Sequence, residues 1–277
     1  MFYRNVTLLL AVLAFLLTGC RENPQTGAAA PLKSQAQAQT QSNTGNPSPD
    51  QAAVSAPAKK VYLTFDDGPN SHYTGLILDI LKRYGVKATF VVVGGNVEKN
   101  PEVLKRIVNE GHNVVNHTYS HDYKKLYDSP EAFLADLERA DRLIASYTGT
   151  GAKIFRAPGG PAKLDSSYVE LLKKNGYRSL GWNVTSADSD PNGATPEQII
   201  GNVKNGVARI ENMKKEPIIL MHDGTEINLK LDKPGASVQN YIKNRESDLV
   251  ALPVIIEFLQ ARGYTFAGVD ENTPPAW

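Results

Sequence analysis

The sequence predicts an α/β fold built on a parallel sheet, either open or closed into a barrel. Two observations carry this expectation. From residue 59 onward, short β-branched or aliphatic runs alternate with amphipathic segments, the texture of strands alternating with helices. Strands spaced by helices pair in parallel through crossover connections. The 277 residues also leave room for one domain of about 200 to 250 residues.

In chain order, the strand candidates are residues 61–65, 88–93, 113–115, 153–155, 178–183, 217–221 and 264–267. Helix candidates lie near 74–84, 101–110, 130–147, 165–175, 195–210 and 249–262. Gly85, Gly111, Gly176 and Gly263 each follow a helix candidate, where a left-handed residue closes the last turn. Residues 225–246 show no clear period and read as a long polar loop. Parallel sheets of either kind gather their chemistry at the C-terminal ends of the strands.

Ahead of this region, Arg4 precedes an apolar run over residues 6–17, too short to span a bilayer comfortably and suited to the apolar part of an export signal. The run ends in Leu17-Thr18-Gly19-Cys20, which resembles a bacterial lipoprotein signal and implies a lipid on Cys20, the one cysteine. Several acyl chains would then anchor the chain, since one alone binds a membrane only marginally. Residues 21–58 are rich in Ala, Gln, Ser, Pro, Asn and Thr and cannot bury enough apolar surface to offset their ordering entropy. The expected organisation is a signal peptide over 1–19, a lipidated cysteine and flexible tether over 20–58, a folded domain over 59–270 and a tail over 271–277. The expected location is the surface of a bacterial membrane. A net charge of +1 with 21% charged residues offers no basic stripe, which argues against nucleic acid as a partner.

The first strand candidate runs into Thr64-Phe65-Asp66-Asp67-Gly68-Pro69. Adjacent side chains on extended backbone point in different directions, so two neighbouring carboxylates there can serve two atoms of one site. Asp-Gly and Gly-Pro are also ordinary turn punctuation. His117 and His121 follow another strand candidate; four apart on a helical turn, two imidazoles face the same way and can grip one ion. A carboxylate from another strand end would complete a three-ligand site that suits zinc first, with cobalt or nickel as alternatives. His222 ends the run Ile218-Ile219-Leu220-Met221, where a histidine serves either as a buried structural residue or as a proton donor. Arg156 stands before Ala157-Pro158-Gly159-Gly160 and Asp188 lies in the loop after Trp182. A solvated arginine and a turn aspartate would occupy the same positions.

Together these segments resemble, over residues 59–269, the polysaccharide deacetylases of carbohydrate esterase family 4. The resemblance narrows the expected fold to a distorted (β/α)7-type barrel. Thr64 to Pro69 is similar to the family's first motif, which implies Asp66 as base and Asp67 as metal ligand. His117 and His121 match the metal ligands of the second motif. Arg156 with Pro158 matches the third, implying that Arg156 orients the base and that the Gly159 N–H helps hold an oxyanion. Leu220 with His222 matches the last, implying His222 as acid, and Asp188 stands where the fourth motif tunes that histidine. Two positions depart from the pattern. Gly159 replaces an aromatic, so the donor N–H survives while an aromatic wall is lost, and Ser189 replaces a tryptophan, so the substrate floor differs.

The implied activity is metal-dependent removal of acetyl groups from an N-acetylated glycan, with N-acetylglucosamine of peptidoglycan favoured by the expected export. Chitin oligomers, an exopolysaccharide or xylan are the alternative substrates, and a non-catalytic glycan-binding lipoprotein is the alternative class.

Overall fold

The computed structural model describes residues 59–224 and 235–276. The expectations for the export signal, for Cys20 and for the tether fall outside the described residues. In chain order the elements are β1 (Lys59–Asp66), α1 (Tyr73–Tyr84), β2 (Thr89–Val92), α2 (Gly94–Lys99), α3 (Pro101–Asn109), β3 (Asn113–Asn116), α4 (Tyr123–Leu126), α5 (Pro130–Thr148), β4 (Ile154–Phe155), α6 (Ser166–Lys174), β5 (Arg178–Ser179), β6 (Val184–Thr185), α7 (Pro196–Asn212), β7 (Ile218–His222), α8 (Ala236–Ala261) and β8 (Tyr264–Phe266).

Every strand pairing is parallel. The order is β5-β4-β3-β2-β1-β7-β6, with β8 joining the start of β1. β5 and β6, at the two ends of that order, do not pair among the described residues, so the sheet curls into a half-barrel of (β/α)7 type. The period of two in β1 separates two cores. Val61, Leu63 and Phe65 pack with Ile77 and Leu81 of α1 and Ile255 and Leu259 of α8 in the layer between sheet and helices. Tyr62 faces the other way, into a barrel interior shared with Val91, Val115, Leu180 and Ile218. Asp66 shares the Tyr62 face, at the C-terminal end of the strand, in register with His222 of β7.

Local chemistry explains the helix ends. Thr195 and Gln198 form a reciprocal capping box at the start of α7, Ser129 caps α5 ahead of Pro130, and Asp165 caps α6. Gly85, Gly111, Gly176 and Gly263 all adopt positive φ, between 64° and 80°, as expected for residues that close helices.

Two of the expected segments fold differently, and the short helices α2 and α4 are additional. The strand candidate 178–183 divides into β5 and β6: the Leu180 N–H still donates to Phe155 O, whereas the Asn183 N–H donates to Ile218 O. The residues between them cross the open edge of the sheet. Within the expected loop 225–246, residues 236–246 are the first turns of α8, which continues through Pro253 to Ala261. The buried residues of those turns are Asn244 and Arg245, followed by Ser247 and Asp248, so no apolar period marks them. The residues after 270 pack against the open edge, where Arg178 donates to the Asp270 and Thr273 carbonyls and Asn183 to that of Ala276.

Candidate active site

Asp67, directly after β1, takes a left-handed conformation with φ of 77°, which an aspartate tolerates better than most residues. The turn is pinned from behind, since Asn96 Nδ2 donates to Asp67 O and the Val93 N–H to Gly68 O. Asp66 and Asp67 therefore meet at one mouth through a left-handed turn, rather than through strand alternation alone.

The histidine pair does not lie on a helical turn as expected. Residues 117–122 form an irregular loop in which Thr118 and His121 have φ of 69° and 52°. Side chains take over the role of a helix ladder: Asn116 accepts from the Thr118 N–H, Thr118 from that of His121, and Asp136 from those of Tyr119 and Ser120. Asp67 Oδ1 ends 3.3 Å from Nε2 of both His117 and His121. The three ligand atoms all lie within 4.8 Å of one another. His117 Nδ1 is 2.8 Å from Arg156 O. A carbonyl can only accept, so the proton sits on Nδ1 and the Nε2 lone pair is free for a cation.

The charges around Asp67 favour its ionised form. Burial opposes that charge, but the neighbouring imidazoles of His117, His222 and His121 outweigh it and hold the carboxyl well below the usual range. Burial pulls the other way on His121, keeping its imidazole readily deprotonated despite Asp67.

Arg156 is fully buried, not the solvated loop residue its neighbours also allowed. Its Nη1 donates to Asp66 Oδ1 at 2.5 Å and to Thr64 Oγ1 at 2.9 Å, and its Nη2 to Gly181 O at 3.0 Å. The guanidinium holds one oxygen of Asp66, and the other points to His117 at 3.8 Å. One residue thus orients the Asp66 carboxylate with its side chain and the His117 imidazole with its backbone.

Asp188 grips His222 from the opposite side of the mouth. Its Oδ1 lies 2.8 Å from His222 Nδ1, and its Oδ2 accepts the His222 backbone N–H at 2.7 Å. Burial alone would discharge the imidazole, but the charge and hydrogen bond of Asp188, helped by Asp67, push its pKa up to about 9. Leu220, two residues earlier on the same face of β7, is buried beneath it. Gly159 is exposed with φ of 74°, and among the described residues its N–H donates to no protein acceptor.

Three buried groups here were not expected. Arg245 of α8 reaches Asp188 with Nη2, 2.7 Å from its carbonyl and 3.3 Å from Oδ2, and also meets Asp248 at 3.2 Å. Asp223, directly after His222, accepts from Thr74 Oγ1 at 2.6 Å, and burial pushes its carboxyl up to about 7. The Asp223 oxygens would lie 2.2 and 2.5 Å from any Cβ at position 68, which fixes Gly68 in the loop behind Asp67. The Asp-Gly of the first motif and the Asp after His222 were legible residues, but their meeting was not.

A curled parallel sheet with paired carboxylates, two histidines and an arginine-held aspartate at its C-terminal mouth defines a hydrolase site of the carbohydrate-esterase type, and the comparisons agree. Residues 53–180 match the family model described as polysaccharide deacetylase. A peptidoglycan-N-acetylglucosamine deacetylase of Bacillus cereus is 32% identical over 216 residues, 77% of this chain and 69% of that one. A chitooligosaccharide deacetylase of Rhizobium leguminosarum is 29% identical over 215 residues, 77% of this chain and 91% of that one. The solved catalytic domain of a peptidoglycan N-acetylglucosamine deacetylase from Eubacterium rectale superimposes with a TM-score of 0.63 at 31% identity, covering 85% of this chain and 96% of that one. The chain belongs to the polysaccharide deacetylase family, hydrolases acting on carbon–nitrogen bonds.

Proposed function

We propose that this protein removes the N-acetyl group from N-acetylglucosamine residues of peptidoglycan, releasing acetate and leaving a free amino sugar. The observation that carries this reading is the placement of two proton-transfer groups around one cation-ready trio. Asp66 and His222 stand in register on neighbouring strands, beside the Asp67, His117 and His121 ligand atoms.

Two imidazoles and a carboxylate, one imidazole fixed in the correct tautomer by Arg156 O, fit zinc first, with cobalt or nickel as alternatives. A divalent cation held there would supply polarisation of the acetyl carbonyl and acidification of water. The chain itself does the rest. Asp66, steadied by Arg156, takes a proton from the attacking water. The Gly159 N–H donates to the carbonyl oxygen as negative charge gathers on it, where a preorganised donor is worth most. His222, kept charged by Asp188, gives its proton to the departing amine nitrogen, and the C–N bond breaks. Leu220 lines the site below His222.

Peptidoglycan is favoured by the export-type N-terminus, with Cys20 as lipid attachment and residues 21–58 as tether, which together would hold the domain against the cell wall. Chitin oligomers are the second reading, supported by a chitooligosaccharide deacetylase among relatives of similar identity. Metal analysis, with acetate release measured from purified peptidoglycan and from chitin oligomers, tests both. Bound metal with acetate from peptidoglycan supports the first reading, acetate from chitin oligomers alone the second, and acetate from no glycan removes both.

A further inference from the structure

The Gly159 position lacks the aromatic side chain expected in the third motif, yet the space beside it is filled. A Cβ built on Gly159 would lie 3.0 Å from Tyr123 Oη and 3.2 Å from its Cε1. Tyr123 begins α4, a four-residue helix absent from the sequence-based expectation. The turn is held in place at both ends. Asp122 caps it by accepting from the Lys124 and Lys125 N–H groups. Tyr127, just after it, donates its hydroxyl to Pro158 O at 2.6 Å, tying the turn to the loop that carries Gly159.

The Tyr123 ring is not core. It is 44% exposed, and it stands edge-on to the metal-site imidazole of His121 with ring centroids 5.7 Å apart. Tyr127 lies behind it at 5.9 Å and continues into a buried aromatic cluster with Phe133 and Tyr168. A half-exposed aromatic backed by a rigid cluster and bordering the reacting centre presents a flat apolar face with a hydroxyl at its rim, at low entropic cost. A Cβ at position 159 would press on the phenol and oblige it to shift by a few tenths of an ångström.

We propose that Tyr123 is the aromatic wall of the substrate groove in this protein, contacting the pyranose ring that carries the acetyl group and so replacing, from the second-motif loop, the side chain missing at Gly159. This inference rests on the deacetylase reading above and concerns substrate binding within it. Such a wall contributes to holding the sugar in ground state and transition state alike, so its loss raises KM more than it lowers kcat.

The test is steady-state kinetics of acetate release from chitin pentasaccharide by zinc-loaded wild type, Tyr123→Ala and Tyr123→Phe, with metal content measured on each. KM is expected to rise about tenfold in Tyr123→Ala while kcat stays within about threefold. Metal content should hold, and Tyr123→Phe should recover most of the KM. An unchanged KM in Tyr123→Ala, or a fall in kcat that follows loss of metal, overturns the proposal by reducing Tyr123 to a prop for His121. Wild-type protein that releases no acetate from the pentasaccharide or from peptidoglycan overturns the deacetylase reading itself, a result separable from the first.

Discussion

Asp188 holds His222 by two hydrogen bonds at once, one carboxylate oxygen on the ring Nδ1 at 2.8 Å and the other on the backbone N–H at 2.7 Å. The imidazole is therefore both aimed and charged by one buried residue. Its raised pKa sets a pH window. A histidine whose folded pKa lies near 9 contributes stability that is fully present below its unfolded value of about 6.5 and is lost as pH rises through 9. The proton proposed to pass from His222 to the leaving amine is present over the same range. Activity should fall on the alkaline side as His222 loses its proton, and Asp188→Asn should move that limb toward neutral pH with kcat lower by about 10²-fold. A pH–rate profile of both proteins checks this; an unmoved limb contradicts the role of Asp188.

The ligand trio and the two proton-transfer groups should separate cleanly. Asp67→Ala and His117→Ala each remove one of three ligand atoms, so metal and activity should vanish together. His222→Ala leaves the trio intact and should keep its metal while losing about 10²- to 10⁴-fold in turnover. Elemental analysis beside acetate release distinguishes the two classes.

Arg156 is a geometric part rather than a mere counter-charge. Its three donor contacts to Asp66, Thr64 and Gly181 use the guanidinium fork, which a lysine cannot reproduce. Arg156→Lys should lower kcat by about 10²-fold through a misplaced Asp66, with metal content little changed because the carbonyl that orients His117 belongs to the backbone.

Arg245 pairs with the buried Asp188 carboxylate, while burial and the Asp188 charge hold the neighbouring Asp248 carboxyl well above the usual range. Replacing it with methionine removes one of the two cations that face Asp188, with His222 remaining, at a cost of about 3 kcal/mol in stability. Urea unfolding of Arg245→Met measures it, and a change below about 1 kcal/mol would show the pair to be dispensable.

Much of this was legible in sequence because it is local. The strand ends carrying Asp66, Arg156 and His222 followed from short apolar runs, and the helix-closing glycines needed only their position. What was hidden depends on contacts distant along the chain. The first turns of α8 show no apolar period because their buried residues are Asn244 and Arg245, which become interior only by bonding Asp190, Ala194 and Asp188. The His117–His121 loop kept the expected spacing but reached it through left-handed residues held by Asn116 and Asp136. Tyr123 gave no signal, since its place beside Gly159 arises from a turn tied down by Tyr127.

Asp66 is proposed as the base of the N-deacetylation. The most direct measurement is acetate release from purified peptidoglycan by wild type and by Asp66→Asn, each folded and carrying equal metal. Wild type should release acetate, with one new amine for each, and Asp66→Asn should be slower by about 10²- to 10⁴-fold. Equal rates from the two proteins would contradict the account.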